Sequence, residues 1–368
     1  MRIGITCYPT YGGSGIVATE LGIELAQRGH DVHFISYANP IRLGTGMERV
    51  HYHEVEVSTY PLFQYPPYGL ALASRMTEVA EQHDLDILHV HYAIPHSISA
   101  LLARQMMAPR RRLPFVTTLH GTDITLVGVE PSYFPITRFS IEQSDGVTAI
   151  SEYLRARTDE VFGPTKPIEV IHNFVNCRLY QPSGRRERKM TLLHVSNFRP
   201  VKRVLDCIRI LERVRHQTPA ELLMAGDGPE RGPAEKLARE LGVAAFVRFL
   251  GKQDHVEKLF PQADVLLMPS ELESFGLAAL EAMACGVVPV ATRCGGVPEL
   301  ITHGVDGYLE STGDIEAQAQ RVIELLTGES RFRAMSEAAR MTAVTKFDTP
   351  RIIPQYEAFY ESVLAAGG

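Results

Sequence analysis

Residues 2–36 read RIGITCYPTYGGSGIVATELGIELAQRGHDVHFIS, and this stretch decides the fold. Alternating apolar residues at its start predict a strand, and a glycine turn at Gly12 to Gly15 follows. A helical pattern then runs to Gly29, and a second strand is predicted from Val32 to Ile35. Strand, helix and strand in this order form a βαβ unit, in which the two strands are parallel.

The same alternation continues through the first half of the chain. It predicts, in order, helix 70–82, strand 87–91, helix 97–107 and strand 115–119. The periodicity breaks between Pro164 and Pro182, where proline and polar residues accumulate. We therefore predict a first domain of residues 1–172, built on an open parallel sheet.

The second half starts the same architecture again. It predicts strand 192–195, helix 204–216, strands 222–225, 247–250 and 265–268, helix 276–284, strand 287–292 and a terminal helix at about 352–364. A second domain of residues 173–349 follows from this pattern. Two Rossmann-like, doubly wound α/β domains in tandem are expected to face each other across a cleft, because open α/β sheets bind ligands at the carboxyl ends of their strands.

Composition excludes several classes of protein. The 368 residues carry a net charge of −6, and the short basic clusters 110–112 and 185–189 lie beside Pro or Gly, so no nucleic-acid partner is expected. No apolar run is long enough for a membrane span, and no signal-peptide pattern opens the chain. Five cysteines are spread out without metal-type pairing. We expect a soluble, cytoplasmic protein that uses no metal.

The segment from Glu273 to Glu281 is the firmest functional signal. It follows an apolar strand and opens a helix, whose first backbone N–H groups form an anion site. The amides of Ser274, Phe275 and Gly276 are therefore expected to face a diphosphate. Glu273 would lie beside a sugar, and Glu281, about two turns along the helix, would bind a ribose diol. An ordinary amphipathic helix with an acidic start is the alternative.

A family resemblance decides between these readings. The two glutamates with seven residues between them resemble the motif of retaining glycosyltransferases of family 4. The match continues in order through the segments GDGPE (226–230), AMACG (282–286), GGVPE (295–299) and GVDGYL (304–309). The resemblance implies the GT-B fold, metal-independent transfer with retention at the anomeric carbon, and a C-terminal helix at 350–366 that packs back on the first domain.

The resemblance also implies donor-binding residues in three further loops. Gly13 and Ser14, in the first glycine loop, and Gly226 would lie by the donor diphosphate. Lys202 falls at the phosphate-binding lysine of the family, whereas Asn197 stands where most relatives carry arginine. Cations here would stabilise the leaving diphosphate. Either Arg203 or Arg199 could supply the second charge, and a surface arginine is the alternative for both.

Two histidine-containing segments of the first half, residues 89–96 and 117–123, follow predicted strands. His89 and His91 alternate with apolar residues and have no nearby Cys or carboxylate, so a zinc site is the poorer interpretation. His120 matches the family histidine that lies by the donor sugar and acceptor. With Lys202 and Glu273 it completes the predicted catalytic set.

Several segments resemble one subgroup of the family, which begins bacillithiol biosynthesis. They are residues 4–9, 63–68, 89–96, 119–125 and 138–145, together with Asn173-Phe174. This closer resemblance implies UDP-N-acetylglucosamine (UDP-GlcNAc) as donor and L-malate as acceptor. A dicarboxylate requires cations and oriented donors, and the predicted acceptor residues are Arg138, Tyr92, Thr118, Thr122 and Asn173.

Other functions fit parts of the same pattern. They are a sibling transferase for an inositol phosphate or a lipid, a UDP-sugar epimerase, and a noncatalytic sugar-nucleotide-binding protein. The sequence also leaves a homodimer open.

Overall fold

The computed structural model describes residues 1–10, 12–44, 46–58, 62, 64–108, 110–184, 188 and 190–366. Three features named above fall partly outside them: Tyr11 of the opening stretch, Phe63, and the basic cluster 185–189 apart from Arg188. The chain divides into two compact units. Unit 1 comprises Met1–His172 with Ile352–Gly368, and unit 2 comprises Asn173–Arg351.

Unit 1 is built on a seven-stranded parallel sheet. Its strands are β1 (Arg2–Thr6), β2 (Asp31–Ser36), β3 (Val50–Glu54), β4 (Ile87–His91), β5 (Phe115–Leu119), β6 (Gly146–Ala149) and β7 (Ile168–Val170). Their order across the sheet is β3-β2-β1-β4-β5-β6-β7. The helices are α1 (Gly13–Gln27), α2 (Tyr68–His83), α3 (Ile98–Met107), α4 (Thr122–Thr125), α5 (Phe134–Gln143) and α6 (Glu152–Phe162).

Unit 2 repeats the arrangement with six strands. They are β8 (Thr191–Val195), β9 (Glu221–Ala225), β10 (Val247–Gly251), β11 (Val265–Met268), β12 (Val288–Thr292) and β13 (Tyr308–Glu310), in the order β10-β9-β8-β11-β12-β13. The helices are α7 (Val204–Arg215), α8 (Arg231–Glu240), α9 (Leu277–Ala284), α10 (Val297–Leu300), α11 (Ile315–Thr327) and α12 (Glu329–Lys346), and the chain continues into a last helix, α13 (Thr349–Ala365).

The predicted α/β class and the strands and helices named from the sequence are confirmed. Four strands escaped prediction: β3, β6, β7 and β13. Three of these four have only three or four residues, and β3 carries histidines at alternate positions instead of an apolar face. Short or polar strands form because they pair with a neighbouring strand, and the local sequence pattern does not predict that pairing.

Each unit buries its own apolar core between sheet and helices. In unit 1, α2 and α3 cover side chains such as Leu88, Val90 and Phe115. In unit 2, α7 and α11 cover strands β8, β9, β11 and β12. Fully parallel sheets need apolar cover of this kind on both faces. None of the helices in the described part of the chain combines the length and apolar character that a membrane crossing requires.

The last helix, α13, belongs to unit 1 from Ile352 onward. Glu357 of α13 accepts hydrogen bonds from Arg28, and the distance from Arg28 Nη2 to Glu357 Oε2 is 2.8 Å. Glu357 Oε1 lies 2.9 Å from His30 Nε2. The hydroxyl of Tyr360 lies 2.7 Å from His89 Nδ1. A segment distant in sequence therefore completes the polar network of the first sheet.

Candidate active site

The strand order reverses at the same point in both sheets. β1 lies between β2 and β4, and β8 lies between β9 and β11. The loops that follow β1 and β4, or β8 and β11, start as neighbours and run away in opposite directions, which leaves a crevice at the carboxyl edge of the sheet. Most of the predicted site residues lie in these loops. We describe the two half-sites separately.

In unit 2 the crevice loops are joined by an ion pair. Lys202 Nζ lies 2.6 Å from Glu273 Oε1, and the Ser270 hydroxyl donates to the same oxygen at 2.8 Å. The backbone N–H of Glu271 also donates to the carbonyl of Val201 at 2.8 Å. The predicted phosphate-binding lysine and the predicted sugar-binding glutamate are thus brought together and held in defined positions.

The loop after β12 supports Glu273 through its glycines. The N–H of Gly296 donates to the Glu273 carbonyl at 3.0 Å. Gly295 has φ of 52°, and a Cβ there would lie 1.9 Å from the same carbonyl oxygen. Only glycine allows this approach. The Gly-Gly pair of the sequence motif therefore has a physical function, which is to position the backbone of Glu273.

The loop after β9 packs against the loop after β8 in the same way. A Cβ on Gly226, at φ of 127°, would lie 1.7 Å from the carbonyl oxygen of Ser196. A Cβ on Gly228 would lie 2.1 Å from the carbonyl oxygen of Asn197. The structure thus gives Gly226, predicted as a donor residue, a packing function beneath the loop that carries Asn197 and Lys202.

The contacts of Arg203 and the exposure of Arg199 help to identify the second cation for the predicted diphosphate site. Arg203 Nε donates to Asp206 at 2.6 Å, and its Nη1 donates to Glu271 at 3.1 Å. Arg199 and Asn197 are exposed. Because Arg203 already bridges two carboxylates, Arg199 is the better candidate for a phosphate contact.

Helix α9 begins one residue later than predicted. Gly276, at φ of 98°, precedes it, and Leu277 is its first residue. Glu281 is therefore the fifth helical residue, just over one turn along, and the expected two turns are wrong. Glu281 is 6% exposed and accepts a hydrogen bond from the Tyr180 hydroxyl at 2.6 Å.

The two residues before Gly276 have different environments. The ring of Phe275 is buried and packs edge-on against Phe347, with ring centroids 5.5 Å apart. Its side chain therefore serves the core, and only its backbone can face a ligand. Ser274 is partly exposed.

In unit 1 the crevice loops are joined by a hydrogen bond between neutral groups. Helix α1 begins at Gly13, and the Tyr92 hydroxyl donates to Ser14 Oγ at 2.7 Å. Tyr92 has φ of 84°, a region that residues other than glycine rarely adopt. Burial raises the pKa of Tyr92 to about 12, so its hydroxyl stays protonated at neutral pH. Thr122 also contacts this hydroxyl.

His120 lies at the end of a buried polar chain. His120 Nε2 lies 2.8 Å from His91 Nδ1, and the two rings are stacked at 5.0 Å. His91 in turn stacks on His89 at 4.4 Å. Burial lowers the pKa of His120 and of His89 to about 3. His120 is therefore neutral at pH 7, and it can exchange hydrogen bonds without carrying charge.

Thr118 is a buried residue of β5. It is 0% exposed, and its hydroxyl lies 2.7 Å from both His89 Nε2 and Thr148 Oγ1. Because every residue of β5 is buried, the end of this strand points into the protein instead of a crevice. The structure does not bring the Thr118 hydroxyl to a crevice, and its contact with the acceptor stays a prediction.

Two other predicted acceptor residues are Arg138 and Asn173. Arg138 is exposed on α5, four residues before Glu142. The pKa of Glu142 is lowered mainly by a hydrogen bond from the Thr165 backbone, and the charge of Arg138 contributes to a smaller extent. Asn173 is the first residue of unit 2 and is 4% exposed. Its buried Oδ1 has no hydrogen-bond partner among the described residues, which is uncommon for such an atom.

Asp123 was not predicted as a site residue, although it orders the whole half-site. Its buried carboxylate accepts hydrogen bonds from the backbone N–H groups of Ala93 at 3.0 Å, His120 at 3.2 Å and Gly121 at 2.9 Å. It thereby ties the loop after β4 to the loop after β5. An acidic residue three positions after His120, at the start of α4, was the signal that could have found it.

A cavity of about 570 Å³ opens beside Tyr92 within unit 1. Tyr8, Tyr92, Thr122 and Asp123 form its polar part. Its other side chains are mostly apolar: Pro67, Leu70, Ile94, Pro95, Ile98, Leu102, Val127, Tyr133 and Ile136. None of its lining residues is a lysine or arginine.

Comparisons with known proteins agree with this geometry. The family model "Glycosyltransferase Family 4" matches residues 11–179, and "Glycosyl transferases group 1" matches residues 178–342. The chain is 48% identical to the N-acetyl-alpha-D-glucosaminyl L-malate synthase of Bacillus anthracis, over 99% of this chain and 97% of that protein. It is 29% identical, over 74% of this chain and 75% of the relative, to a GDP-mannose-dependent alpha-(1-6)-phosphatidylinositol monomannoside mannosyltransferase of Mycolicibacterium smegmatis.

Two solved structures are similar along the whole chain. Sucrose-phosphate synthase from Thermosynechococcus elongatus has a TM-score of 0.81 at 20% identity, covering 100% of both chains. Anabaena HepE, in complex with UDP and glucose, has a TM-score of 0.81 at 21% identity, covering 98% of this chain and 100% of that one. The expected GT-B fold is thereby confirmed.

The two doubly wound units have the GT-B fold, and the sequence matches show that the chain is a glycosyltransferase. The two family models together span residues 11–342. More particularly, the chain belongs to the glycosyltransferase family of the Bacillus anthracis N-acetyl-alpha-D-glucosaminyl L-malate synthase.

Replacing Gly226 by alanine tests the loop packing of unit 2. The new methyl would overlap the Ser196 carbonyl and strain a positive φ. We expect the Gly226→Ala variant to lose about 2–4 kcal/mol of unfolding free energy in urea titrations. Gly44→Ala is the matched control, because the nearest atom there is the flexible Met47 Cε at 3.7 Å. Equal stability of the two variants would show that the loops do not pack as described.

The neutral buried histidines predict acid sensitivity. In the folded protein, burial lowers the pKa of His96 to about 4 and the pKa of both His89 and His120 to about 3. In the unfolded chain, the same histidines take up protons below about pH 6.5. The unfolding free energy should therefore fall as the pH falls from about 6.5 to 4, by up to about 1.4 kcal/mol per pH unit for each group.

Urea unfolding measured at several pH values from 7.5 to 4.5 checks this expectation. The His89→Gln variant should show a shallower pH dependence, since one titrating group is removed. His216→Gln, an exposed side chain 2.7 Å from Glu212, is the control and should follow the parent protein. A parent stability that is flat over this range would contradict the assignment.

Proposed function

We propose that this protein transfers N-acetylglucosamine from UDP-GlcNAc to the hydroxyl of L-malate, giving GlcNAc-malate and UDP, the first step of bacillithiol biosynthesis. The observation that carries the proposal is the 48% identity to the Bacillus anthracis synthase along nearly the entire length of both chains. The half-sites support it, since one presents charge for a diphosphate and the other presents hydroxyls for a small polar acceptor.

The donor binds unit 2 on this proposal. Lys202 neutralises the diphosphate, with Arg199 as the second cation, while Glu273 binds hydroxyls of the sugar and Glu281 binds the ribose. The ion pair between Lys202 and Glu273 supports these functions, because it holds a cation and a carboxylate 2.6 Å apart between the two crevice loops. Groups positioned in advance stabilise developing charge without reorganisation.

The reaction proceeds on one face of the sugar. The bond from the anomeric carbon to the β-phosphate oxygen breaks, and the malate hydroxyl oxygen forms the new bond on the same face. Because the new bond forms on the face that the leaving group departs from, the configuration is retained. The malate proton passes to an oxygen of the departing UDP, and no metal is needed. The enzyme then acts by positioning and by charge stabilisation.

The acceptor binds unit 1. The hydroxyls of Tyr92 and Thr122 lie beside the start of α1, where the N–H groups of a helix end attract a carboxylate. Asn173 lies in unit 2 and stays a prediction from the family resemblance. Arg138 stays a proposed carboxylate ligand, although its exposed position on α5 gives it less support than Tyr92.

His120 positions the substrates without changing charge. Its ring is 7% exposed and is held by His91. Because burial lowers its pKa to about 3, it does not act as a general acid near pH 7. It can accept or donate one hydrogen bond to a sugar or acceptor hydroxyl.

Compartment and assembly complete the proposal. The described cysteines, Cys7, Cys177, Cys207, Cys285 and Cys294, are all free thiols, which supports a reducing cytoplasm. A homodimer is supported by exposed apolar side chains within one segment of unit 1, among them Leu126, Val129, Tyr133, Ile136 and Phe139.

One observation favours a different acceptor. The cavity beside Tyr92 is largely apolar and is lined by no basic side chain, which suits the apolar part of a larger acceptor better than a dianion. A lipid acceptor is therefore the second candidate. It keeps the same donor half-site and the same chemistry.

Product analysis separates these possibilities. The purified protein is incubated with UDP-GlcNAc and, in parallel, with L-malate, D-malate, other hydroxy acids, inositol phosphate or phosphatidylinositol, and products are read by mass spectrometry. We expect a GlcNAc adduct of L-malate with equimolar UDP. An adduct with a lipid and none with malate would replace the first proposal by the second. Conversion of the UDP-sugar without acceptor would indicate an epimerase.

Replacing Lys202 tests the donor half-site. We expect Lys202→Ala to lower kcat by about 100- to 1,000-fold, because the leaving diphosphate loses a positioned cation. Lys236→Ala is the matched control, since that lysine is 73% exposed on α8 and pairs with Glu240. Steady-state kinetics with both substrates measure the effect. Turnover of Lys202→Ala within about threefold of the parent would remove Lys202 from the mechanism.

A further inference from the structure

Four histidines meet on one face of the sheet in unit 1, and we call them the histidine cluster: His33, His51, His53 and His83. His33 and His51 are register partners on the parallel strands β2 and β3. His53 follows two residues later on β3 and so points to the same face as His51. His83 is the last residue of α2. None of them has a function in the proposed transfer.

The imidazoles are close enough to share one ligand. His33 Nδ1 lies 2.9 Å from His53 Nε2, and the ring of His83 lies 4.5 Å from that of His33 and 5.1 Å from that of His53. One nitrogen from each of these three residues lies within 4.8 Å of the others. In a tetrahedral zinc site with Zn–N bonds of 2.0–2.1 Å, ligand nitrogens are separated by about 3.3 Å. Small side-chain rotations therefore suffice to close the site.

Metals bind imidazole through a ring nitrogen that carries a lone pair. His33 is 3% exposed, whereas His53 and His83 are partly exposed, so an ion can reach the cluster from solvent.

We propose that His33, His53 and His83 bind one divalent transition-metal ion, with Zn²⁺ as the best fit, and that His51 or water supplies the fourth ligand. Imidazole ligands favour zinc, copper and nickel over magnesium and calcium, which prefer oxygen. A tetrahedral site with nitrogen ligands suits Zn²⁺ in particular.

The ion would have a structural function. β3 is an edge strand and, among the strands that the structure describes, pairs only with β2. A metal bound to β2, β3 and the end of α2 would connect three segments that are 20 to 50 residues apart in the chain, and it would stabilise the folded state by mass action. The cluster lies along the strands instead of in the crevice loops, so this proposal leaves the transfer itself metal-independent.

Metal titration of the full-length protein tests the site. After removal of metal with a chelator, ZnCl₂ is titrated by calorimetry, and Co²⁺ serves as a spectroscopic probe of tetrahedral geometry. We expect one ion per chain and a higher melting temperature with zinc. The His53→Gln and His83→Gln variants should each bind Zn²⁺ at least about tenfold more weakly and lose the thermal shift.

His216→Gln is the matched control, because it removes an exposed histidine of unit 2 and should bind zinc like the parent protein. Both cluster variants should keep the circular dichroism spectrum and the transferase activity of the parent, which shows that they fold. The proposal is overturned if the parent binds no ion at zinc concentrations on the order of 10 µM, or if the two cluster variants bind as tightly as His216→Gln.

Discussion

The reversal of strand order beside the first strand of each sheet is the constraint on which the rest of the structure depends. In a parallel sheet with order 3-2-1-4-5-6, the loops after strands 1 and 4 start side by side at the carboxyl edge. Each unit uses that proximity once. In unit 2 it produces the ion pair of Lys202 and Glu273, and in unit 1 it produces the hydrogen bond of Tyr92 to Ser14. Residues about 70 to 80 positions apart thus become partners.

Close backbone packing then makes these loops rigid. Gly226 and Gly295 each allow a carbonyl oxygen of a neighbouring loop to approach to a distance that a Cβ would not permit. In unit 1 a buried carboxylate has the equivalent function, since Asp123 binds three backbone N–H groups from two loops. Glycine motifs and buried acids are therefore different solutions to one problem, which is to hold irregular backbone in a single conformation.

Unit 1 contains two groups of histidines with different surroundings. His89 and His91 lead to His120 through a buried chain that has hydroxyl partners, including Tyr360 on the C-terminal helix. In the histidine cluster of β2, β3 and α2, the ring nitrogens of His33, His53 and His83 lie close to one another. On our proposals, the first arrangement orients hydrogen bonds near a substrate, and the second binds an ion. The partners, and not the residue type, decide between these functions.

The sequence by itself determined the alternation of strands and helices and the division into two α/β domains, because both depend on local periodicity. It also determined the family and the residues predicted to bind the donor, because these depend on a motif with fixed spacing. Only the tertiary structure decided that the Thr118 hydroxyl forms hydrogen bonds with His89 and Thr148. The same holds for the hydrogen bonds of Arg203 to two carboxylates, and for the proximity of His33 to His53 and His83. These outcomes depend on strand register and on the docking of distant helices. Both are set by packing free energy summed over a whole domain, which no local pattern contains.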